Sequence, residues 1–246
     1  MYFKEPNLPD RMAKGVLVDY RTPKKIIAAL NEWGIETKLT CKEQSLYISV
    51  CGHPDMMIHH LSDKVFTCTE NAASYYKNLM PNTQILPGTS VLDRNYPFDI
   101  AYNVARIGSY AFHLCNGYTE PVIQEYYDKI GVNFIPVKQG YSKCSVCIVT
   151  KKAIITADGG IERAAKQYGF DVLLIHEGLI SLPGLSHGFI GGASGLISPD
   201  KLAFAGQIKT HIDYPQIKKF CCKHGVEVVS LSDEPLIDIG SIVPLF

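Results

Sequence analysis

The sequence predicts an α/β fold, a five-bladed β/α propeller with pseudo-fivefold symmetry whose ring is closed by pairing of the first and last strands. Three observations predict it. Short β-rich runs alternate with helix-like segments along all 246 residues. The alternation repeats five times at a nearly constant step. The strand count leaves one unpaired strand near each end, and pairing the two removes exposed edges.

The elements follow in order. "GVLVD" (15–19) is a strand with no partner before it. "TPKKIIAALNEWG" (22–34) is a helix, with Thr22 as N-cap, Pro23 in the first turn and Gly34 as stop. "NAASYYKNLM" (71–80) is the second helix and ends before Pro81. "TEPVIQEYYDKIG" (119–131) is the third, starting at Thr119 and stopping at Gly131. "IERAAKQYG" (161–169) and "YPQIKKFCCKHG" (214–225) complete the five. A β-rich run follows each helix: "IETKLT", "TQILP", "VNFIPV", "FDVLLI" and "VEVVSL".

Five further segments align as core strands: "HPDMMIHH", "DIAYNVAR", "CSVCIVTK", "GASGLISP" and "DIGSIVPL". They begin at residues 53, 99, 144, 192 and 238, in steps of 46, 45, 48 and 46. Four are followed by another strand, "KVFTC", "YAFHL", "AIITA" and "LAFAG", and the fifth by none. The expectation is a single domain, residues 1–246, of five repeats.

Composition narrows the function classes. Lys plus Arg and Asp plus Glu both number 24, with no K/R-rich run, which disfavours nucleic acid as a partner. No apolar run approaches the ~20 residues of a membrane-spanning helix, and "MYFKEPNLPDRMAKG" is no signal peptide. The eight cysteines are therefore expected as reduced thiols in a cytoplasm. A small-molecule substrate or ligand is the expected partner; no cofactor or metal is expected, and the sequence does not fix an oligomeric state.

A ring of five β/α repeats of this size resembles the pentein fold. Its members include arginine deiminases, dimethylarginine dimethylaminohydrolases, agmatine deiminases and amidinotransferases, together with a non-catalytic ribosome anti-association factor. The family enzymes carry a Cys nucleophile in G-x-x-x-C and a His in H-x-D. Gly140-Tyr-Ser-Lys-Cys144 fits the first pattern and His53-Pro54-Asp55 the second. The family Cys lies two blades after the His, and Cys144 lies two steps after His53. The family acid lies one blade before the His, which around the ring is Asp238. The start point is permuted, since the familiar enzymes carry the Cys in their last blade. The resemblance implies a guanidino-group-modifying enzyme with Cys144 and His53 catalytic.

The residues make a parallel case. Equivalent positions of symmetric repeats converge on the axis, and here they are His53, Asp99, Cys144, Gly192 and Asp238. Random core positions are mostly apolar, so this set points to a site. Carboxylates match a guanidinium bidentately, which suits Asp99 and Asp238, with Asp55 a third substrate-binding candidate. Cys144 as thiolate attacks the central carbon while His53 steadies it, protonates the leaving amine and then activates water. Lys143 is a further candidate for lowering the thiol pKa, although next to Cys144 on a strand it is expected to point the other way.

Other readings of these residues stay open. Cys144 and His53 also suit packed core positions, and the acids also suit turn caps. Cys144 and Cys147 form a C-x-x-C without the second pair a zinc site requires. His59 and His60 read as turn or surface residues, and Asp19 and Asp158 as helix caps or channel-mouth residues. "GGASG" (191–195) lacks the Lys and following helix of a P-loop and reads as the repeat whose core position is empty. A non-catalytic ring that binds a ligand or partner is the alternative function, and a metal-binding protein the third.

Overall fold

A computed structural model describes residues 1–246. The fold is α/β, built from five three-stranded sheets. In chain order the first sheet contains β3 (Ile58–Ser62), β4 (Val65–Cys68) and β5 (Gln84–Pro87). The second contains β6 (Ala105–Ile107), β7 (Tyr110–His113) and β8 (Asn133–Pro136). The third contains β9 (Cys147–Thr150), β10 (Ala153–Thr156) and β11 (Asp171–Leu174). The fourth contains β12 (Ser194–Ser198), β13 (Lys201–Phe204) and β14 (Glu227–Ser230). The fifth joins β15 (Val243–Pro244), β1 (Gly15–Val18) and β2 (Glu36–Leu39).

All five follow one pattern. The first strand runs antiparallel to the middle one, and the middle one parallel to the third. The parallel pair needs a crossover, and a helix supplies it each time. These crossover helices are α1 (Lys24–Glu32), α3 (Ala73–Leu79), α4 (Pro121–Ile130), α6 (Gly159–Gln167) and α7 (Tyr214–Lys223). Each buries one stripe. In α6, Ile161 and Ala165, four residues apart, face the core while the rest stays wet. Burying a side chain such as Ile161 contributes about 1.5–3 kcal/mol. In the fifth sheet Val16 lies opposite Pro244 and Leu17 opposite Val243, so the strands nearest the two ends share a sheet.

Helix stops match the sequence; helix starts do not all match. Gly34 and Gly131 take positive φ, 72° and 71°, as helix-terminating glycines do. The N-caps are Pro23 and Glu120, one residue later than expected. Thr22 instead donates to the Asp19 carbonyl, and Thr119 bonds His113.

The larger correction concerns the core segments. Two open as one-turn helices, α2 (Pro54–Met57) and α5 (Ser142–Ser145), before their strands begin. Cys144 therefore sits on a helical turn, and the strand argument that turned Lys143 away does not apply. His59 and His60 are also not at the surface: both lie buried on β3. Burial pushes them down to about 3 and about 4, so both are neutral at pH 7. His59 Nε2 bonds the Tyr127 hydroxyl at 2.6 Å, and His60 Nε2 donates to the Asp63 carbonyl at 2.8 Å. No helix is long and apolar enough to cross a membrane.

Candidate active site

His53 is the N-cap of α2, with Pro54 at the first helical position, where its missing N–H costs nothing. The α5 turn presents Cys144. Asp99 precedes β6, and Asp238 precedes β15. These four side chains, far apart in sequence, line one cavity of about 660 Å³. Tyr47, Tyr96, Tyr141 and Phe189 give it aromatic walls, and Arg94 is its one arginine or lysine.

His53 stands between two carboxylates. Its Nδ1 is 3.7 Å from Asp238 Oδ1 and its Nε2 3.9 Å from Asp19 Oδ2. Nδ1 is buried without a hydrogen bond. Asp238 is fixed by two backbone amides: Gly240 N–H donates to Oδ1 at 2.9 Å and Phe189 N–H to Oδ2 at 2.8 Å. Burial raises the Asp238 carboxyl above its ordinary value, although His53 pulls the other way. Asp19 is clasped by Arg21, with Nε 2.9 Å from Oδ1 and Nη2 2.5 Å from Oδ2. A second cavity, of about 170 Å³, touches Asp19, His53 and Asp238. Asp19 thus faces His53 rather than capping a helix, whereas Asp158 does cap α6, accepting from Gly160 and Ile161 N–H.

Asp99 Oδ2 accepts from the Tyr141 hydroxyl at 2.7 Å. Its Oδ1 is buried with no partner. Burial raises its carboxyl as well.

Cys144 is held from behind. Its thiol donates to Asp55 Oδ2 at 3.2 Å, and Asn103 Nδ2 donates to the sulfur at 3.1 Å. Asn103 Oδ1 accepts from the backbone N–H of Lys143 at 2.7 Å and of Cys144 at 3.2 Å. Burial first, then the neighbouring Asp55 and Asp238 carboxylates, raises the thiol well above its ordinary value. Asp55, expected as a third substrate carboxylate, lies outside the lining of the large cavity. A ring nitrogen of His53, a carboxylate oxygen of Asp55 and the Cys144 sulfur lie within 4.8 Å of one another.

Glycine makes the close packing feasible. A Cβ on Gly192 would stand 2.0 Å from Asp238 Oδ1, and one on Gly240 would stand 2.3 Å from His53 Cβ. The repeat position without a side chain is thus filled by the next repeat's acid. Cys147 is fully buried in the largest apolar cluster, apart from the cavity.

Sequence reasoning missed Asn103 and Ser241. Asn103 precedes β6 and is fully buried, and an amide among mostly apolar neighbours in "DIAYNVAR" is the signal that was available. Ser241 carries a positive φ of 81°, which composition does not reveal.

These features define a pentein-like fold. The chain superposes over nearly its full length on solved structures with that fold. A DDAH from Pseudomonas aeruginosa, a mutant complexed with citrulline, gives a TM-score of 0.60 at 10% identity, covering 96% of this chain and 100% of the other. The inosamine-phosphate amidinotransferase from Streptomyces griseus gives 0.58 at 11%, covering 94% and 92%. The agmatine deiminase from C. jejuni gives 0.56 at 9%, covering 94% and 91%. No curated protein matches the sequence. More narrowly, the chain belongs to the family of unknown function DUF6873, whose model matches residues 17–243.

Proposed function

We propose that the five sheets form one domain, a ring closed between β15 and β1, and that its cavity is the active site of a cysteine-dependent hydrolase, deiminase or amidinotransferase. The substrate is a small guanidino or amidine-like molecule. One observation carries this reading: a thiol, an imidazole and two buried carboxylates from four separate segments line a single cavity. The likeness to guanidino-modifying enzymes supports it at the level of the fold.

Each group has a role. The unpartnered Asp99 oxygen and the Asp238 carboxylate receive the planar cation. The cation's charge lowers the cost of ionising the Cys144 thiol, which the free protein keeps protonated. Sγ bonds to the central carbon as its proton passes to His53. The carbon–nitrogen bond to the leaving amine then breaks, and His53 returns the proton to that amine. Water activated by His53 attacks the thiouronium carbon and releases the thiol; in a transferase an acceptor amine takes water's place. Asp19 and Asp238 flank the imidazole and stabilise its charged form.

Labelling with a haloacetamidine tests the nucleophile. Wild-type protein is expected to be modified at Cys144 and to lose turnover of guanidino compounds; Cys144→Ser is expected to resist, and His53→Ala to label at least tenfold more slowly. Equal labelling of wild type and Cys144→Ser removes the assignment. The second reading, a ring that binds a cation without turning it over, draws on the protonated, hydrogen-bonded thiol. Binding of guanidino compounds with no ammonia or ureido product selects it.

A further inference from the structure

Behind the Cys144 sulfur, away from the large cavity, a chain of hydrogen bonds leads to a buried cation. Lys143 is 7% exposed, and its Nζ makes one hydrogen bond, donating to Ser241 Oγ at 2.8 Å. The Ser241 hydroxyl donates to Asp55 Oδ2 at 2.8 Å, with the Gly191 carbonyl 3.0 Å away as the other acceptor. Asp55 Oδ2 accepts the Cys144 thiol. The residues come from four segments: α5, the turn before β15, α2 and the Gly191 loop. A separate cavity of about 20 Å³, room for one water, touches Asp55 and Lys143.

Two features single this chain out from ordinary packing. A lysine is almost never buried unless paired, and this one has a hydroxyl, not a carboxylate, as its hydrogen-bond partner. Ser241 adopts a left-handed backbone that a non-glycine residue rarely takes. Such strain persists where the surroundings over-determine it, and here the side chain is tied on three sides.

We propose that Lys143, acting through Ser241 and Asp55, is the positioning residue that holds the Cys144 thiol in place and supplies the positive charge against which its thiolate forms. A buried carboxylate beside a buried sulfur cannot readily share two negative charges. With Lys143 protonated, the group of Lys143, Asp55 and a protonated Cys144 is neutral. Loss of the thiol proton then adds one negative charge beside a fixed cation rather than beside an isolated carboxylate. The titratable groups facing the pair are His53 and Asp55 from the start of α2, Tyr141 and Cys147 on either side of α5, and Asp238 before β15. His59 and His60, across the small cavity, are neutral and add no charge near pH 8. Burial lowers Lys143, opposed chiefly by Asp55, so this cation is itself lost at a lower pH than a surface lysine.

This inference rests on Cys144 being the nucleophile, and its test needs no guanidino substrate. Iodoacetamide is neutral and reads thiolate formation directly. Its rate at Cys144 is to be followed by peptide mass spectrometry from pH 6 to 10 in wild type, Lys143→Gln and Ser241→Gly. Glycine keeps the left-handed backbone and removes the hydroxymethyl group that links Lys143 to Asp55. Both variants are expected to move the rate profile up by about one pH unit, which makes labelling at pH 8 about tenfold slower. If Lys143→Gln does not fold, Ser241→Gly decides alone. Profiles within about 0.3 pH units of wild type in the folded variants overturn the proposal. Absence of guanidino turnover, by contrast, overturns the proposed function and leaves this result intact.

Discussion

Replacing Gly192 by alanine puts a methyl group within 2.0 Å of Asp238 Oδ1, a separation no real Cβ shows. The acid must leave its present position beside His53. Gly192→Ala is expected to fold yet to lose most haloacetamidine labelling, whereas Gly34→Ala, with nothing near its Cβ, costs about 1 kcal/mol through its positive φ alone. Asn103→Ala strips donors and acceptors from a buried clamp; a loss of about 1–3 kcal/mol in chemical denaturation is expected. The meeting of Cys144, His53, Asp99 and Asp238 at one cavity was legible because the repeat aligns them and the two acids are poor choices for an apolar core. Asn103 and Ser241 were not, nor was the bond that holds Lys143 to Ser241. Their partners lie 40 or more residues away, and no local pattern encodes such a bond.

Crossover helices and middle strands were read nearly to their bounds, because periodicity and glycine stops act over a dozen residues. The one-turn helices were missed because four residues complete barely one 3.6-residue period. Only Pro54, a proline at a helix start, marked one of them. At the start of α4, Glu120 accepts N–H bonds from Thr89, Ser90 and Val122, tying the preceding loop to the helix. Burial pushes its carboxyl up, but these bonds outweigh burial and leave it lowered. A carboxyl depressed on folding contributes stability above its unfolded value, near pH 4.5, that is lost as pH falls through the folded value. Glu120→Gln is therefore expected to lower the melting temperature at pH 7 and to narrow the gap to wild type below pH 4. An equal gap at both pH values refutes the assignment.

At the scale of the whole molecule, the fifth sheet decides the architecture. Counting strands pointed to a first-to-last pairing, while which side chains pack across it was hidden, since that contact spans nearly the whole chain. Leu245 is fully buried beside Leu17 and Phe66, in a cluster with Met57 and Tyr76 of the first repeat. Leu245→Ala is expected to cost about 2–5 kcal/mol, read as a lower denaturant midpoint with an unchanged slope. A change under 0.5 kcal/mol shows that the pairing carries little weight.

That pairing also has a consequence for how the chain folds as it is made. β1 leaves the ribosome before the strands of the other four sheets, and its antiparallel partner β15 emerges after them. Until then β1 can join β2 alone, and one of its edges stays open to other chains. Four sheets can be completed in the order of synthesis, while the fifth must wait. The interval between first strand and last is therefore when the nascent protein is most exposed to misassembly, and slowing translation ahead of residue 243 prolongs it.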